Sequence, residues 1–435
     1  GTTFDAAYTS CPLSVPARCS MMSGHRPSRT GILTNSGSIA SDHATFAHAL
    51  AIAGYETVLC GRMHFKGPDQ FHGFTRRLVG DFTPCYDGRY GEARADLGPY
   101  AGTPAGNFTK HFGGGTSPVL EYDRAVVAAA LDYLDQPRDK PVFLVVSTYG
   151  PHHTFVAPPE LYRKYQQILP PPDSDGQERR DLHPALHRKT KDLEPDVVRD
   201  LRAAYYGMVE NIDMQFGQVR EAWDAFTRDR GRESVCCYLS DHGEAAGEKG
   251  LWGKMTFHEE SARIPLIFSG ASIEARRRIA APASIMDLAP TLCELTDAPA
   301  MPEQDGRSLL AVLHGAEPDA DRAVASELLD GGSPARMIRQ HQWKYIHYHG
   351  RDEADQLFDL DADPNEYANR INDCVDAAGR LKSMLLNDWD PEAIMRDTQR
   401  RREHWRIMSA WGAAVDVEEP YRWPIPESAW ALPTR

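Results

Sequence analysis

The sequence of 435 residues predicts an α/β protein with a large first domain and a smaller C-terminal α+β domain. Up to about residue 300, short apolar segments typical of buried strands alternate with stretches in which apolar residues have helical spacing. After Gly306 the pattern changes to short alternating segments joined by turns, which is typical of an antiparallel sheet. The length supports this division, because 435 residues exceed one ordinary domain.

The composition narrows the classes of partner. The net charge is −14, from 62 acidic and 48 basic residues, which argues against nucleic acid as a general partner. An anionic substrate would therefore need a local cluster of basic side chains or a metal ion. No run of roughly 18 apolar residues predicts a membrane span, and no signal peptide is visible, so we expect a cytoplasmic protein that binds no membrane. The eight cysteines lack metal-like spacing and predict free thiols.

The first motif lies at residues 14–18, Ser-Val-Pro-Ala-Arg, and a predicted strand over residues 1–9 leads into it. If a helix begins at Ser14, Arg18 lies one turn further along on the same face. A helix N-terminus favours anions, so a hydroxyl and an Arg at this place suit attack on an anionic ester. Taken alone, the same pattern also fits an ordinary loop-to-helix junction with a capping serine.

Two further strand ends carry basic side chains. Residues 55–60 predict a buried strand, and Arg62 and His64 follow directly after it. A second apolar strand over residues 141–146 precedes His152. The carboxyl ends of strands in open α/β sheets are the usual place for ligands. Taken alone, each histidine also fits an ordinary loop position.

Long segments separate these strands. Helical spacing predicts helices over residues 41–53, 123–134 and 201–226. Residues 66–120 are rich in Gly, Pro and aromatic residues and predict an irregular insertion, which we expect to select the substrate. Residues 157–200 are polar and Pro-rich and predict an exposed excursion.

Asp241 and His242 follow directly after the strand predicted over residues 235–239. A carboxylate beside a neutral imidazole suits a divalent metal ion, and Gly243 would let the backbone turn close to that ion. Taken alone, the two side chains also fit a salt-bridged pair at a strand end. Lys254 follows in the next segment.

Together these segments resemble the type I sulfatases of the alkaline phosphatase superfamily. The similarity begins with the run at residues 14–18 and Gly24, ten residues after Ser14, and continues in order through residues 61–64, 151–155, 240–244, 254 and 356–366. It implies an alkaline-phosphatase-like α/β sandwich built on a large mixed sheet. The last of these segments is rich in Asp but lacks EF-hand spacing, so we expect it to be structural.

The resemblance also implies a role for each candidate residue. The implied site comprises the catalytic Ser14, Arg18, His64 and His152, the substrate-binding Arg62 and Lys254, and the metal ligands Asp241 and His242. In the family the residue at position 14 is oxidised to formylglycine, and His152 matches the acid that protonates the leaving alcohol. Arg62 stands where the family carries Lys, which keeps the charge but offers a fork of donors. The implied cofactor is one divalent metal ion, Ca²⁺ first, with Mg²⁺, Mn²⁺ or Zn²⁺ as alternatives.

Two features depart from the family pattern. Relatives carry an acidic pair on an earlier strand that supplies two further metal ligands, and no such pair precedes Thr2. The start of the chain therefore looks truncated, which leaves an N-terminal targeting segment open. The second departure is Ser14, because Cys is the commonest residue at that position.

Three explanations of Ser14 stay open. The chain is a natural serine-type enzyme with a dedicated maturation partner, carries a Cys-to-Ser replacement that blocks turnover, or uses unmodified serine. Ala17 favours the replacement, since serine-type members usually carry Ser there. The active form would then need a formylglycine-generating maturation enzyme as a partner.

The function we expect is metal-assisted hydrolysis of a small sulfate monoester, as in arylsulfatases, by the nucleophile at position 14. Two alternatives stay open: a phosphonate or phosphate ester hydrolase of the same superfamily, and a catalytically inactive protein that binds sulfate esters. The sequence does not indicate the alcohol part of the substrate.

The expected boundaries place the catalytic domain at residues 1–315, an antiparallel-sheet subdomain at 316–393 and a tail at 394–435. Alternating segments and a packing helix are predicted in the subdomain at residues 323–327, 335–340, 343–349 and 375–386. The tail holds four of the eight tryptophans, Trp405, Trp411, Trp423 and Trp430. Aromatic residues at that density favour packing on the protein's own body or on another subunit, so we expect a homo-oligomer.

Overall fold

A computed structural model describes residues 1–86, 100, 108–170 and 182–435, and it confirms the mixed α/β class. Its α-helices are α1 (Ser14–Ser23), α2 (Pro27–Thr30), α3 (Phe46–Ile52), α4 (Pro118–Leu134), α5 (Pro159–Ile168), α6 (Pro195–Arg228), α7 (Glu259–Ala262), α8 (Leu288–Leu295), α9 (Leu310–Leu313), α10 (Val375–Leu386) and α11 (Pro391–Ala414). Its strands are β1 (Thr2–Phe4), β2 (Ala7–Tyr8), β3 (Glu56–Gly61), β4 (Arg76–Arg77), β5 (Gly113–Gly114), β6 (Val142–Ser147), β7 (Val156–Ala157), β8 (Val235–Leu239), β9 (Leu266–Gly270), β10 (Arg277–Ile279), β11 (Ala283–Ser284), β12 (Ala323–Asp330), β13 (Ser333–Gln340), β14 (Trp343–Tyr348) and β15 (Gln356–Asp359).

The chain divides into two compact units that each comprise three segments. The first unit contains residues 1–53, 175–191 and 234–404, and the second contains residues 54–174, 192–233 and 405–435. The boundaries expected at residues 315 and 393 stay predictions. Part of the proposed substrate-selecting insertion over residues 66–120, namely residues 87–99 and 101–107, lies outside the described residues.

The first unit contains a mixed sheet in the order β10-β1-β9-β8. Strand β1 runs parallel to β10 and antiparallel to β9, and β8 is antiparallel to β9. Further along the N-terminal segment, β2 forms a short parallel pair with β11. The strand predicted over residues 1–9 is thus present as two pieces, and it leads into α1 as expected.

The C-terminal part of the first unit is the antiparallel sheet that the sequence predicts, in the order β12-β13-β14-β15. Strand β12 extends beyond the predicted residues 323–327, because the left-handed Gly331 and Gly332 (φ 61° and 97°) place the hairpin turn later. Helix α10 packs on this sheet, where Leu381 and Leu385 join a buried apolar cluster.

A buried ion-pair network ties the segment at residues 356–366 to its surroundings. The Nζ of the fully buried Lys344 lies 2.7 Å from Glu366 Oε1 and 2.6 Å from Glu259 Oε1. The other oxygen of Glu366 lies 3.1 Å from His258 Nδ1. Although burial opposes ionisation, Lys344 and His258 hold the pKa of Glu366 well below its usual range. These contacts support the structural interpretation of this segment.

The second unit contains a parallel sheet in the order β4-β3-β6 and a parallel pair, β5 and β7. Helix α4 begins earlier than predicted, because Ser117 caps it: its Oγ accepts a hydrogen bond from Leu120 N–H at 3.3 Å, and Pro118 follows. Helix α6 also begins earlier, at Pro195, and spans 34 residues. Val58, Tyr133 and Phe226 form a buried apolar cluster that joins sheet and helices.

Two further features concern membrane-spanning helices and the cysteines. No helix within the described ranges is long and apolar enough to cross a membrane. All eight cysteines lie in described residues and are free thiols, as the sequence predicts.

Candidate active site

Helix α1 carries the candidate nucleophile at its first residue. Ser14 is 4% exposed, and the backbone N–H of the next residue, Val15, donates to Asn35 Oδ1 at 3.0 Å. Gly24 ends the helix with a left-handed φ of 74°. A Cβ at this position would lie 2.7 Å from Gln304 Nε2, so the close approach as well as the backbone favours glycine.

The segment after β8 brings His242 to Ser14, the candidate nucleophile. Ser14 Oγ lies 3.0 Å from His242 Nε2, and His242 Nδ1 lies 2.8 Å from the carbonyl oxygen of Gly243. Because a carbonyl can only accept, the ring hydrogen is on Nδ1, and Nε2 accepts a hydrogen bond from the Ser14 hydroxyl. Gly243 is required here, since a Cβ would lie 2.0 Å from the backbone oxygen of Glu260.

Arg18 pairs with the neighbouring carboxylate. Its Nε donates to Asp241 Oδ2 at 2.8 Å, and both side chains are 13% exposed. Burial opposes the ionisation of Asp241, but Arg18, His242 and Lys254 hold its pKa well below the usual range. Burial lowers the pKa of His242 to about 4 against the opposing charge of Asp241, so the imidazole is neutral at pH 7.

Lys254 contributes positive charge to the same group of residues. Its charge helps to lower the pKa of Asp241, and it partly offsets the rise that burial causes in the pKa of Glu244. Glu244 is buried, which raises its pKa, and its Oε1 accepts hydrogen bonds from the N–H groups of Gly253 at 2.5 Å and Ala246 at 3.4 Å. Glu244 therefore fixes the backbone that leads to Lys254, a role that the sequence did not suggest.

Asp241 and His242 do not make a complete metal site by themselves. Among the residues that the structure describes, no group of three or more His, Cys, Asp or Glu side chains could hold an ion. Asp241 Oδ2 accepts from Arg18, and His242 Nε2 accepts from Ser14. Two donors fall short of the roughly six to eight oxygen ligands that Ca²⁺ takes, so we derive no catalytic step through a metal ion.

In the second unit, Arg62 and His64 follow the end of β3. Arg62 Nη1 donates to both oxygens of Asp81, at 2.8 and 2.9 Å, and its Nη2 lies 2.7 Å from His64 Nδ1. The guanidinium carbon lies 4.4 Å from the ring centroid of Tyr149. Arg62 is 4% exposed, so its charge is balanced inside the unit by the buried Asp81.

The loop that carries His152 is held by a buried carboxylate. Asp123, on α4, accepts hydrogen bonds from the N–H groups of Tyr149 at 2.6 Å and Gly150 at 3.0 Å. The ring centroids of Tyr149 and His152 are 4.8 Å apart, and His152 Nδ1 lies 2.8 Å from the carbonyl oxygen of His153. Arg62 and His152 thus share Tyr149 as a neighbour, and His64 contacts Arg62.

The candidate residues form one group in each compact unit. The first unit brings together Ser14, Arg18, Asp241, His242 and Lys254, and the second brings together Arg62, His64 and His152. The catalytic, substrate-binding and metal-binding roles assigned to them stay predictions.

Sequence reasoning missed the carboxylates that support these groups. Asp123 did carry a signal, because it lies at helical spacing among the buried Val119, Val126, Val127 and Ala130 of α4. A carboxylate on an apolar helix face needs an internal partner. Asp81 carried no comparable signal, since it lies in a loop after the short strand β4.

Comparison with protein families gives two matches. The family model described as Sulfatase matches residues 1–298, which is more than half of the chain. A second model, described as N-sulphoglucosamine sulphohydrolase, C-terminal, matches residues 247–387.

Curated relatives agree with this result. The choline-sulfatase of Rhizobium meliloti (strain 1021) is 32% identical over 454 residues, which cover 98% of this chain and 84% of the relative. Arylsulfatase K of Gallus gallus is 27% identical, with 89% of this chain and 76% of the relative covered.

Solved structures share the fold. The phosphonate monoester hydrolase of Agrobacterium radiobacter superposes with a TM-score of 0.69 at 21% identity, covering 94% of this chain and 89% of that one. BT1596, a 2-O GAG sulfatase, gives a TM-score of 0.67 at 22% identity, covering 93% and 86%.

Proposed function

Because this chain belongs to the sulfatase family of the alkaline phosphatase superfamily, we propose that it hydrolyses a small sulfate monoester with the residue at position 14 as nucleophile. One observation carries the proposal. Ser14 and His242 are 228 positions apart in the sequence, yet their side chains lie 3.0 Å apart, with the Arg18–Asp241 ion pair one turn along α1. A buried hydroxyl oriented by a neutral imidazole and flanked by cations suits attack on an anionic ester.

The described side chains have the following roles in this proposal. His242 Nε2 orients the oxygen at position 14 for attack on sulfur. Arg18 and Lys254 supply positive charge that stabilises the developing negative charge on the sulfuryl oxygens. His152 would donate a proton to the alcohol oxygen as the S–O bond breaks, which makes the alcohol a better leaving group.

We further propose that the active form carries formylglycine at position 14. When present, that group supplies a geminal diol, whose second hydroxyl allows the bound sulfate to be expelled with return of the aldehyde. A serine sulfate ester lacks this second hydroxyl, so turnover by unmodified Ser14 is expected to be slow. The proposal implies a maturation enzyme as a partner.

A divalent metal ion, Ca²⁺ first, is part of the same proposal. Asp241 and His242 are the two ligands that we assign to it; because the ring hydrogen of His242 is on Nδ1, its ligand atom would be Nε2, in exchange for the hydrogen bond from position 14, and further ligands are needed beyond this pair. A hard carboxylate suits Ca²⁺ or Mg²⁺, and the imidazole leaves Mn²⁺ and Zn²⁺ open.

The test compares three substrates with one enzyme form. Ser14→Cys protein, coexpressed with a formylglycine-generating enzyme, is assayed for initial rates on p-nitrophenyl sulfate, choline sulfate and a phenyl phosphonate monoester. We expect the larger kcat/KM on a sulfate ester, and choline sulfate is included because choline-sulfatase is a relative of this chain.

The second candidate function is phosphonate monoester hydrolysis. It is favoured by the fold shared with the Agrobacterium radiobacter hydrolase, and the cations around position 14 would also accept a phosphonate anion. A larger kcat/KM on the phosphonate would replace the sulfatase proposal. Binding of sulfate esters without turnover of any of the three substrates would favour the inactive binder.

A further inference from the structure

Arg62 is held on several sides within the second unit. Its Nη1 donates to Asp81 and also to Thr83 Oγ1 at 2.9 Å, and its Nη2 faces His64 Nδ1 at 2.7 Å. The guanidinium also lies over the ring of Tyr149. The hydrogen bonds hold the guanidinium in its own plane, and the Tyr149 ring covers one of its faces. The guanidinium therefore has little freedom to rotate.

The partner carboxylate is itself fixed. The N–H and the hydroxyl of Thr83 both donate to Asp81 Oδ1, at 3.0 and 2.8 Å. Burial opposes the ionisation of Asp81, but Arg62, Thr83 and Arg77 hold its pKa below the usual value. Arg62 and Asp81 therefore form a buried ion pair, 4% and 3% exposed, that stays charged and in place.

This arrangement determines the tautomer of His64. A guanidinium has only donors, so Arg62 Nη2 can bond to His64 Nδ1 only if that nitrogen carries a lone pair. The ring hydrogen must then be on Nε2, and a second hydrogen on Nδ1 would point at the Arg62 N–H group. His64 can offer an N–H donor at Nε2, but it cannot accept a proton there.

The backbone of His64 supports a special role for this side chain. His64 has a φ of 59°, in the left-handed region that residues with a Cβ rarely adopt, and it is 7% exposed. Such strained positions persist where the surrounding structure holds them and cluster at functional sites. Its place, three residues after the end of β3, is the usual location of ligand-binding residues in open α/β sheets.

We propose that Arg62 is a positioning residue, which locks His64 as the Nε2–H tautomer and thereby makes it a fixed hydrogen-bond donor for the reacting anion. The inference rests on the proposed ester hydrolysis and deepens it. It gives Arg62 a role through His64 in place of direct contact with the sulfate, and it defines the role of His64 as that of a hydrogen-bond donor. A Lys at position 62 could reach one of these partners but could not serve all of them in one plane.

The first test measures the tautomer directly. Nitrogen-15 NMR of histidine-labelled protein at pH 7.5, with the His64 signals identified by their loss in His64→Gln, reports which ring nitrogen carries the hydrogen. We expect a pyridine-like Nδ1 and a protonated Nε2 in the unmodified chain. We expect Arg62→Met, which has a similar length but no donors, to shift His64 toward a mixture of tautomers.

The control and the second variant keep the test decisive. Arg77→Lys changes another largely buried Arg near Asp81, whose Nη1 binds Gln70 and not His64, so the His64 signals should stay as in the parent. If Arg62→Met does not fold, Thr83→Val removes one hydrogen bond to Arg62 and the hydroxyl hydrogen bond to Asp81, and it should broaden or shift the same signals. A protonated Nδ1 in the parent, or an unchanged tautomer in folded Arg62→Met, would overturn the inference.

The second test separates positioning from substrate binding. In matured Ser14→Cys enzyme, Arg62→Lys should lower kcat by about 10²-fold, because misplacement of a reacting group costs about that much, while KM changes little. A large rise in KM with kcat retained would assign Arg62 to the substrate instead. Absence of turnover in the Ser14→Cys parent would count against the proposed function, whereas the NMR result stands independently of activity.

Discussion

At the scale of single residues, the chemistry depends on which partner each polar atom of the first unit has. The Ser14 hydroxyl donates to His242 Nε2 because the other ring nitrogen already donates to the Gly243 carbonyl. Asp241 is kept ionised by Arg18, although burial alone would favour its neutral form. The proposed nucleophile, a neutral imidazole and a buried ion pair therefore occur together within two short segments of chain.

The metal proposal makes a prediction at this scale. Asp241→Asn should reduce the divalent metal in purified protein, because it replaces a charged ligand by a neutral amide. Metal per chain is measured by elemental analysis after dialysis against metal-free buffer. Asp305→Asn is the matched control: this carboxylate is also paired with an Arg of the same unit, Arg26 at 2.9 Å, and its loss should leave the metal content unchanged. Equal metal content in all three proteins would contradict the assignment.

At the scale of elements, buried carboxylates tie strands, helices and loops to one another. Asp123 joins α4 to the loop after β6, and Glu366 joins the turn after β15 to β14 and α7. The sequence singled out neither carboxylate, although it predicted a structural role for the segment at residues 356–366. Both have an ionisation that depends on folding, so each gives stability a pH dependence of known sign.

For Asp123, burial raises the pKa to about 7, against the opposing hydrogen bonds from Tyr149 and Gly150. Between about pH 4 and pH 7, Asp123 therefore keeps its proton in the folded protein but has lost it in the unfolded chain. In this range the free energy of unfolding decreases by up to about 1.4 kcal/mol for each unit that the pH rises. Asp123→Asn cannot ionise. Urea unfolding at several pH values should show that the parent loses stability relative to the variant from pH 4 to 7. Parallel stability curves would refute this.

Glu366 behaves in the opposite way. Its pKa is held below the usual range, so its contribution is present above about pH 4.3 and is lost as the pH falls through and below that value. Glu366→Gln leaves the buried Lys344 with one carboxylate fewer and should cost about 3–5 kcal/mol of unfolding free energy at pH 7.

The control for this variant is Glu317→Gln. Glu317 is 94% exposed and lies 3.7 Å from Arg277, so its loss should change the stability by about 1 kcal/mol or less. Chemical denaturation at pH 7 compares the two variants with the parent. A Glu366→Gln protein as stable as the control would show that the network contributes no net stability.

At the scale of the whole molecule, the predicted homo-oligomer stays a proposal. Several large apolar side chains near the C-terminal end of α11 are exposed: Trp405 by 38%, Ile407 by 72%, Met408 by 53% and Trp411 by 37%. Contact with another copy would bury such a surface. Analytical ultracentrifugation should give a mass that is a multiple of 48.5 kDa, and Ile407→Lys should shift the distribution toward the monomer. A monomer at micromolar concentration would contradict the proposal.

The sequence predicted the class of fold and the segments of the site better than the contacts within them. The sequence located the strand ends just before Arg62 and Asp241 and the helix start at Ser14. Apolar runs and turn residues mark these places locally. The supporting residues Asp81, Asp123 and Glu244 were not assigned, since a pairing in space leaves no periodic pattern in the chain. The start of α4 at Pro118 was placed too late, although the Ser117 cap and the buried Val119 and Leu120 mark the first turn.

The central claim is that this chain is a sulfate ester hydrolase that acts through position 14. The most direct measurement is sulfate released from p-nitrophenyl sulfate by Ser14→Cys protein after maturation, with formylglycine content determined by mass spectrometry and Ser14→Ala as the control. We predict multiple turnovers in proportion to the formylglycine content and none for Ser14→Ala. Release that is absent in fully converted, metal-loaded protein, or equal in the two variants, would contradict the claim.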